Sequence, residues 1–332
     1  MREISAIIAA LASAPDGSAA LATPVDVHGS SYRRPGARLL AFSDRLRIGS
    51  ISGGCLEEDV VERALRVLTS GHPEVATYDT ASENDTIWGV GLGCQGVVRI
   101  MLEPIPLKRP PWLASLAENI RRQRETALAT IHEGSRQDLW GTRLECDLPV
   151  LPDQRGVFRE IICPLPGLFV FGGGDDARPL VRMANETGWQ VTVVDSRHTH
   201  ATAARFPDAE IVVAPAEEIA SRVRLNSRAF VAVMTHRYAE DKKLLGTLVT
   251  QPLAYLGILG PRKRTERLLG ELHAEGINLH PSLKESIYSP IGLDLGGSTL
   301  EVVALSILAE MHGRLANRLP VNLRHRSGSI HG

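Results

Sequence analysis

The chain has no excess of charge of either sign: 38 acidic side chains stand against 37 basic ones, a formal net charge of -1 over 332 residues. That balance excludes a general electrostatic pull on nucleic acid or on an anionic membrane. The cluster Arg262, Lys263, Arg264 and Arg267 is therefore a local feature, suited to a small anion or a partner. Also missing is any apolar run of the roughly 18 to 20 residues needed to span a bilayer. Met1-Arg2-Glu3 opens an amphipathic helical pattern rather than a secretion signal, so a cytoplasmic location is expected. Cysteine is scarce, and Cys55, Cys94, Cys146 and Cys163 form no C-x-x-C pair. This argues against a zinc knuckle and a thioredoxin-type site, and in a reducing compartment leaves thiols rather than disulfides. What remains is an ordinary hydrophobic content of 43%, enough in 332 residues for two cores.

The most informative stretch is Leu168 to Asp195. An apolar run, Leu168-Phe169-Val170-Phe171, suits a buried parallel strand; it enters Gly172-Gly173-Gly174-Asp175-Asp176-Ala177, a G-x-G-x-x-A loop, and a helical pattern follows. A second apolar strand, Val191 to Val194, ends in Asp195, near the spacing at which a carboxylate meets an adenosine ribose in a dinucleotide-binding βαβ unit. In that reading Gly172 permits the turn, Gly174 lets backbone approach a pyrophosphate, and Ala177 allows close packing of helix on strand. The expected ligand is NAD, with NADP rejected by charge. Asp175 and Asp176 stand against it, because two carboxylates repel a pyrophosphate unless they point away or hold a cation.

In the first half, a short helix (Ile4 to Leu11) precedes a strand from Ala19 to Val27 and two more, Ala37 to Phe42 and Leu46 to Ile51. The last runs into Gly49-Ser50-Ile51-Ser52-Gly53-Gly54-Cys55, after which Leu56, Val60, Val61, Ala64, Leu65 and Leu68 mark one face of a helix that Gly71 stops. Glycines and Cys55 thus fall at a helix N-terminus, where free N–H groups bind anions and lower a thiol's pKa. Glu57, Glu58 and Asp59 oppose that effect unless they face solvent. A second loop, Trp88 to Gly96, sets Cys94 beside Gly93 in the same way. The alternative for both loops is a tight glycine turn with a small buried cysteine. Ala20-Leu21-Ala22-Thr23 with Gly36-Ala37-Arg38-Leu39 echoes Ala127-Leu128-Ala129-Thr130 with Gly141-Thr142-Arg143-Leu144, the pattern an internal duplication would leave.

Pro164-Leu165-Pro166-Gly167 marks the boundary between an N-terminal α+β domain, 1–165, and a Rossmann-like doubly wound parallel sheet, 166–332. Alternating strands and helices continue to Ala274, and His236 and Gly260 fall just past strand ends, where ligands bind in such sheets. Ser298-Thr299-Leu300-Glu301 reads as an S-x-x-E capping box. The helix it opens places Val302, Leu305, Leu308 and Ala309 on an apolar face fit for the sheet or for a second copy of the chain, so a homodimer is expected.

Gly29-Ser30-Ser31, Arg34-Pro35-Gly36, GSISGGCLE at Gly49 to Glu57, WGVGLGCQG at Trp88 to Gly96, FGGGDDARPL, Val194 to Arg197, Met234-Thr235-His236, YLGILG at Tyr255 to Gly260 and SILAE at Ser306 to Glu310 resemble the XdhC/CoxI family of xanthine dehydrogenase accessory proteins. The resemblance implies a non-enzymatic chaperone that binds molybdenum cofactor (molybdopterin) and protects it during sulfuration, a step that brings in a cysteine desulfurase. It then delivers the cofactor to a xanthine dehydrogenase or related molybdenum hydroxylase. Gly53, Gly54, Cys55, Gly93, Cys94, Gly172, Gly174, Asp175, Asp195 and His236 are the expected cofactor contacts, with Cys55 and Cys94 on the metal. Asp175 stands where many relatives carry histidine, and Pro261 where serine is common. The rival is an NAD-dependent oxidoreductase using Asp195 and His236, which leaves both cysteine loops without a role.

Overall fold

The computed structural model describes residues 2–13, 19–29, 31–79, 96–105, 110–151, 153–283 and 285–325. The chain divides into two units, Met1–Pro164 and Leu165–Gly332.

The first unit contains α1 (Arg2–Ser13), β1 (Ala19–Gly29), β2 (Leu39–Phe42), β3 (Arg47–Gly49), α2 (Glu57–Ser70), β4 (Glu74–Asp79), β5 (Gly96–Pro104), α3 (Pro111–Arg121), β6 (Thr126–Ile131), β7 (Gly141–Leu144) and β8 (Val157–Ile162). Five strands form an antiparallel sheet in the order β3-β2-β1-β5-β4, and three form β7-β6-β8. Side chains alternate across a strand, so β1 serves two cores at once. Ala20 and Ala22 pack with Val60, Val61, Ala64 and Val67 of α2, while Leu21 joins Ile7 and Leu11 of α1 and Leu113 and Leu116 of α3. Small alanines on the α2 side let the helix lie close. Gly71 ends α2 with φ 71°, a left-handed conformation glycine adopts without a Cβ penalty.

The internal echo does not survive as register. Mapped from β1 and β2, where Ala22 faces Leu39, it sets Ala129 opposite Leu144; the strand partner of Leu144 is Leu128. A slip of one residue exchanges the faces of a strand.

The second unit contains β9 (Gly167–Phe171), α4 (Ala177–Glu186), β10 (Gln190–Asp195), β11 (Glu210–Val213), α5 (Ile219–Arg222), β12 (Phe230–Val233), α6 (Tyr238–Leu248), β13 (Tyr255–Ile258), α7 (Arg262–Ala274), β14 (Ile287–Tyr288) and α8 (Leu300–Leu315). All six strands are parallel, in the order β11-β10-β9-β12-β13-β14. Counted from β9, that is the doubly wound order 3-2-1-4-5-6, whose switch point lies between β9 and β12. Phe230 and Ala232 pack with Leu180 and Ala184 of α4 and Ile307 of α8; Val231 and Val233 pack with Leu244 and Leu248 of α6 and Leu268 of α7. Two buried faces explain the unbroken apolar runs.

Two expectations for α8 are corrected. Its N-cap is Thr299, whose hydroxyl accepts from the Val302 N–H, so Ser298 and Glu301 form no capping box. The buried face is Ala304, Ile307, Leu308 and Met311, and Leu305 is 50% exposed. Ser306 and Glu310 of the SILAE stretch tie down the loop before the helix: Ser306 donates to the Leu293 carbonyl, and Glu310 accepts from Gly292 N–H (3.0 Å) and from the Tyr255 hydroxyl.

Candidate functional site

The loop Gly49 to Leu56 is built around Glu57. This first residue of α2 turns back into the loop instead of facing solvent, and is 2% exposed. Its Oε1 accepts from Ser52 N–H (2.9 Å), Ile51 N–H (3.3 Å) and the Ser50 hydroxyl (2.8 Å), and its Oε2 from the Ser52 hydroxyl. The Ser52 oxygen in turn accepts from Gly54 N–H at 3.2 Å and Leu56 N–H at 3.1 Å. Burial raises the Glu57 carboxyl pKa, but the Ser52 and Ser50 donors outweigh it and bring it to about 2. Glu3 fastens the loop to α1, accepting from Ser50 N–H at 2.8 Å and from Arg33 at 2.5 Å.

Two consequences follow for the predicted site. The N–H groups of Ile51, Ser52, Gly54 and Leu56 are occupied by Glu57 and Ser52, so these donors do not form the phosphate seat expected at this helix start. Gly53, Gly54 and Cys55 are exposed at the tip, with Gly54 at φ 112° and open space where a Cβ would stand. The alternative of a small buried cysteine is thus excluded at Cys55. Asp59 does not face free solvent either, since it pairs with Arg63 (2.7 Å) and accepts from Tyr78 (2.5 Å). Gly93 and Cys94 lie outside the described residues. Among the described residues, no group of three or more His, Cys, Asp or Glu side chains could hold a metal ion.

In the second unit, the glycines serve packing as well as turning. Gly172, at φ 119°, would place a Cβ 2.5 Å from the Met234 carbonyl oxygen, and one on Gly173 would sit 2.8 Å from that of His200. Neighbouring backbone therefore presses on the loop from both sides. Asp195 presents no free carboxylate: it accepts from Gly173 N–H (2.8 Å), from Arg197 N–H (2.9 Å) and from the Arg197 guanidinium at 2.9 and 2.7 Å. Burial raises its pKa, the Arg197 and Gly173 donors more than reverse this, and the result is about 2. A ribose at Asp195 must first displace Arg197.

The two acids of the loop point to separate cations. Asp175 pairs with Arg205 at 2.9 Å, which holds its carboxyl below the usual range. Asp176 caps α4 by accepting from Ala177 N–H, and its other oxygen lies 2.7 Å from His236 Nε2. His236 has φ 59°, a conformation uncommon for non-glycine residues and adopted most often by asparagine, aspartate and histidine, at the switch point between β9 and β12. The buried contact of Thr235 with Asp241, which Arg264 also meets at 2.7 Å, fixes this turn. Sequence reasoning missed Glu57, Asp176, Arg197 and Arg205 because their partners are remote or their roles look generic. An acid in a first helical turn reads as a dipole partner, and only the fold shows which way it turns.

A six-stranded parallel sheet with a glycine loop at its switch point, and an antiparallel unit carrying a braced Gly-Gly-Cys tip, define a two-unit α/β protein whose second unit is of Rossmann type. The chain matches the XdhC and CoxI family over residues 12–79 and the XdhC Rossmann domain over residues 168–311. It is 32% identical over 312 residues to a probable xanthine dehydrogenase subunit of Bacillus subtilis (strain 168), covering 88% of this chain and 92% of that one. Similarity to the molybdenum cofactor insertion chaperone PaoD of Escherichia coli (strain K12) is 22% over 299 residues, 88% of this chain and 82% of PaoD. A crystal structure described as a xanthine dehydrogenase from Bacillus halodurans superposes with a TM-score of 0.82 at 29% identity, covering 98% of this chain and 99% of that one. The chain belongs to the XdhC family.

Proposed function

We propose that this protein is an accessory factor that holds molybdenum cofactor at the Gly53-Gly54-Cys55 tip and passes it to a xanthine dehydrogenase or a related molybdenum hydroxylase. The observation that carries the proposal is the exposed Cys55 thiol at the end of a loop braced from within by a buried carboxylate. A thiolate is a soft ligand matched to a soft, dithiolene-bound metal, and the bound group supplies that metal and its exchangeable sulfur. The name of PaoD, a molybdenum cofactor insertion chaperone, supports the same direction. Cys94 completes the site in this reading, and a cysteine desulfurase supplies the sulfur. The N–H groups of Ile51, Ser52, Gly54 and Leu56 are bonded within the loop and are not part of the phosphate contact in this reading. The NAD-dependent alternative loses its main support, because Asp195 is bonded to Arg197 and Gly173.

The test is to produce wild type, Cys55→Ser and Cys94→Ser in a host that makes molybdenum cofactor, then measure bound molybdenum and pterin and the activation of a cofactor-free target hydroxylase. Cys55→Ser is expected to lower retention at least about tenfold while the circular dichroism spectrum stays unchanged, the factor that about 1.4 kcal/mol of lost ligand energy produces. Retention and activation at wild-type level in a folded Cys55→Ser protein would remove the tip from the site.

A further inference from the structure

The stretch before β2 lies against the cysteine tip. The Tyr32 ring rests on Gly53, where an added Cβ would stand 3.7 to 3.8 Å from three ring atoms, yet the side chain stays 65% exposed. This stretch is held at both ends. Arg33 reaches Glu3, the same carboxylate that accepts from Ser50 N–H, and Gly36 N–H donates to the Pro24 carbonyl at 2.9 Å. Arg38, 3% exposed, donates to the Gly36 carbonyl at 2.9 Å and pairs with Glu160.

Arg33 and Arg38 are thus engaged within the protein. Arg34 is not: it is exposed, and its guanidinium has no hydrogen-bond or ion-pair partner among the described residues. Its backbone is fixed all the same, since its carbonyl accepts from Ala37 N–H at 3.2 Å and the following Pro35 disfavours a helical conformation for it. Two residues span at most about 7 Å, so the Arg34 Cα lies within that distance of the residue whose ring covers the tip.

A bare cation beside an exposed thiol suits a ligand that carries a phosphate as well as a soft metal. The phosphate needs donors, and those of Ile51, Ser52, Gly54 and Leu56 are spent on Glu57 and Ser52. A guanidinium offers five N–H donors in a planar fork that meets phosphate oxygens two at a time, each bond about twice as strong as a neutral one.

We infer that Arg34 binds the phosphate of the ligand held at the cysteine tip, with Tyr32 seating the arginine's loop against Gly53. Arg34 has such a ligand only if the tip holds one, so this contact rests on the proposal for Cys55.

The test uses the full-length chain made in a host that synthesises molybdenum cofactor: wild type, Arg34→Gln, Arg34→Lys and Cys55→Ser. Each is checked by circular dichroism and dialysed, and bound pterin and bound molybdenum are measured separately. Arg34→Gln is expected to retain pterin at least about tenfold less well, the factor one lost hydrogen bond to a charged group carries. Arg34→Lys keeps the charge without the fork and should recover part of that loss. Dialysis against inorganic phosphate should strip wild type further than sodium chloride of the same ionic strength, and the two salts should act alike on Arg34→Gln. A merely structural arginine, or general screening, would not separate the two salts. Wild-type retention in folded Arg34→Gln together with loss in Cys55→Ser would overturn the inference and leave the tip standing. Phosphate no more effective than chloride on wild type would overturn it as well. Loss in Arg34→Gln with wild-type retention in Cys55→Ser would keep the anion contact and remove the thiol, so the two failures are told apart.

Discussion

Glu57 and Asp195 are each a carboxylate turned inward onto the backbone of a glycine loop, and each accepts from N–H groups of that loop. For Glu57, replacement by Gln keeps the shape but sets an amide N–H₂ against the donors of Ile51 and Ser52. An unsatisfied buried donor costs about 1 to 3 kcal/mol. Hydrogen exchange at Ile51, Ser52, Gly54 and Leu56 should therefore speed up by roughly tenfold or more in Glu57→Gln, and unchanged protection would mean the carboxylate is not the brace. Asp195 makes a pH prediction. Its folded pKa of about 2 lies below the ordinary 3.8, so its contribution is fully present above the unfolded value and is lost as pH falls through 3.8 toward 2. The contribution is about 1 to 2 kcal/mol. Asp195→Asn should lower stability at pH 7 by that order and flatten the acid limb of urea unfolding between pH 4 and 2; an identical acid limb in the variant would rule the assignment out.

Among the elements, α8 and its preceding loop show how a helix can be placed correctly and rotated wrongly. The apolar residues from Val302 to Met311 are numerous enough to support more than one face. Packing against α4 and the sheet selects Ala304, Ile307, Leu308 and Met311, with Tyr255 reaching up to Glu310. The start of the helix rests on the Thr299 side chain rather than on Ser298. Thr299→Ala should cost about 1 kcal/mol, a melting-temperature drop of roughly 2 to 4 °C for a unit of this size, whereas Ser298→Ala should change it little. Equal effects of the two substitutions would return the cap to Ser298. For α2, the helix start and its Gly71 stop follow the sequence pattern, because strong periodicity and a left-handed terminator are local signals, but the buried face takes Glu57 and Val67 and leaves Leu65 and Leu68 only partly buried.

For the molecule as a whole, the two units each contain their own buried clusters. Fragments 1–164 and 165–332 are expected to unfold cooperatively when made separately, each with a single calorimetric transition. A broad, non-cooperative melt of either would show that the division is not one of folding units. The homodimer expected from α8 now rests on Leu300, Leu305 and Leu315, which remain about half exposed. Light scattering should give twice the 36.0 kDa chain mass, and a 36.0 kDa particle at micromolar concentration would remove the dimer. No helix among the described residues is long and apolar enough to cross a membrane.

The sequence by itself determined most of the strand and helix succession, though not β7, α5 or β14, together with the doubly wound class of the second unit and the family; the strand order came only with the fold. Apolar periodicity, glycine turns and motif spacing are carried by residues near one another in the chain. Only the tertiary structure decided where the acids point. Glu57, Asp175, Asp176 and Asp195 all sit at loop ends, where a sequence offers solvent, ligand or protein as equal partners. Their real partners come from close by, as Ser52 and Arg197 do, and from far off, as Arg205 and His236 do, and no local pattern ranks one above another. Hydrogen bonds are short-ranged and directional, so their outcome is set when the fold brings donor and acceptor within about 3 Å. That geometry bonds the N–H groups of Ile51, Ser52, Gly54 and Leu56 within their own loop and pairs Asp195 with Arg197.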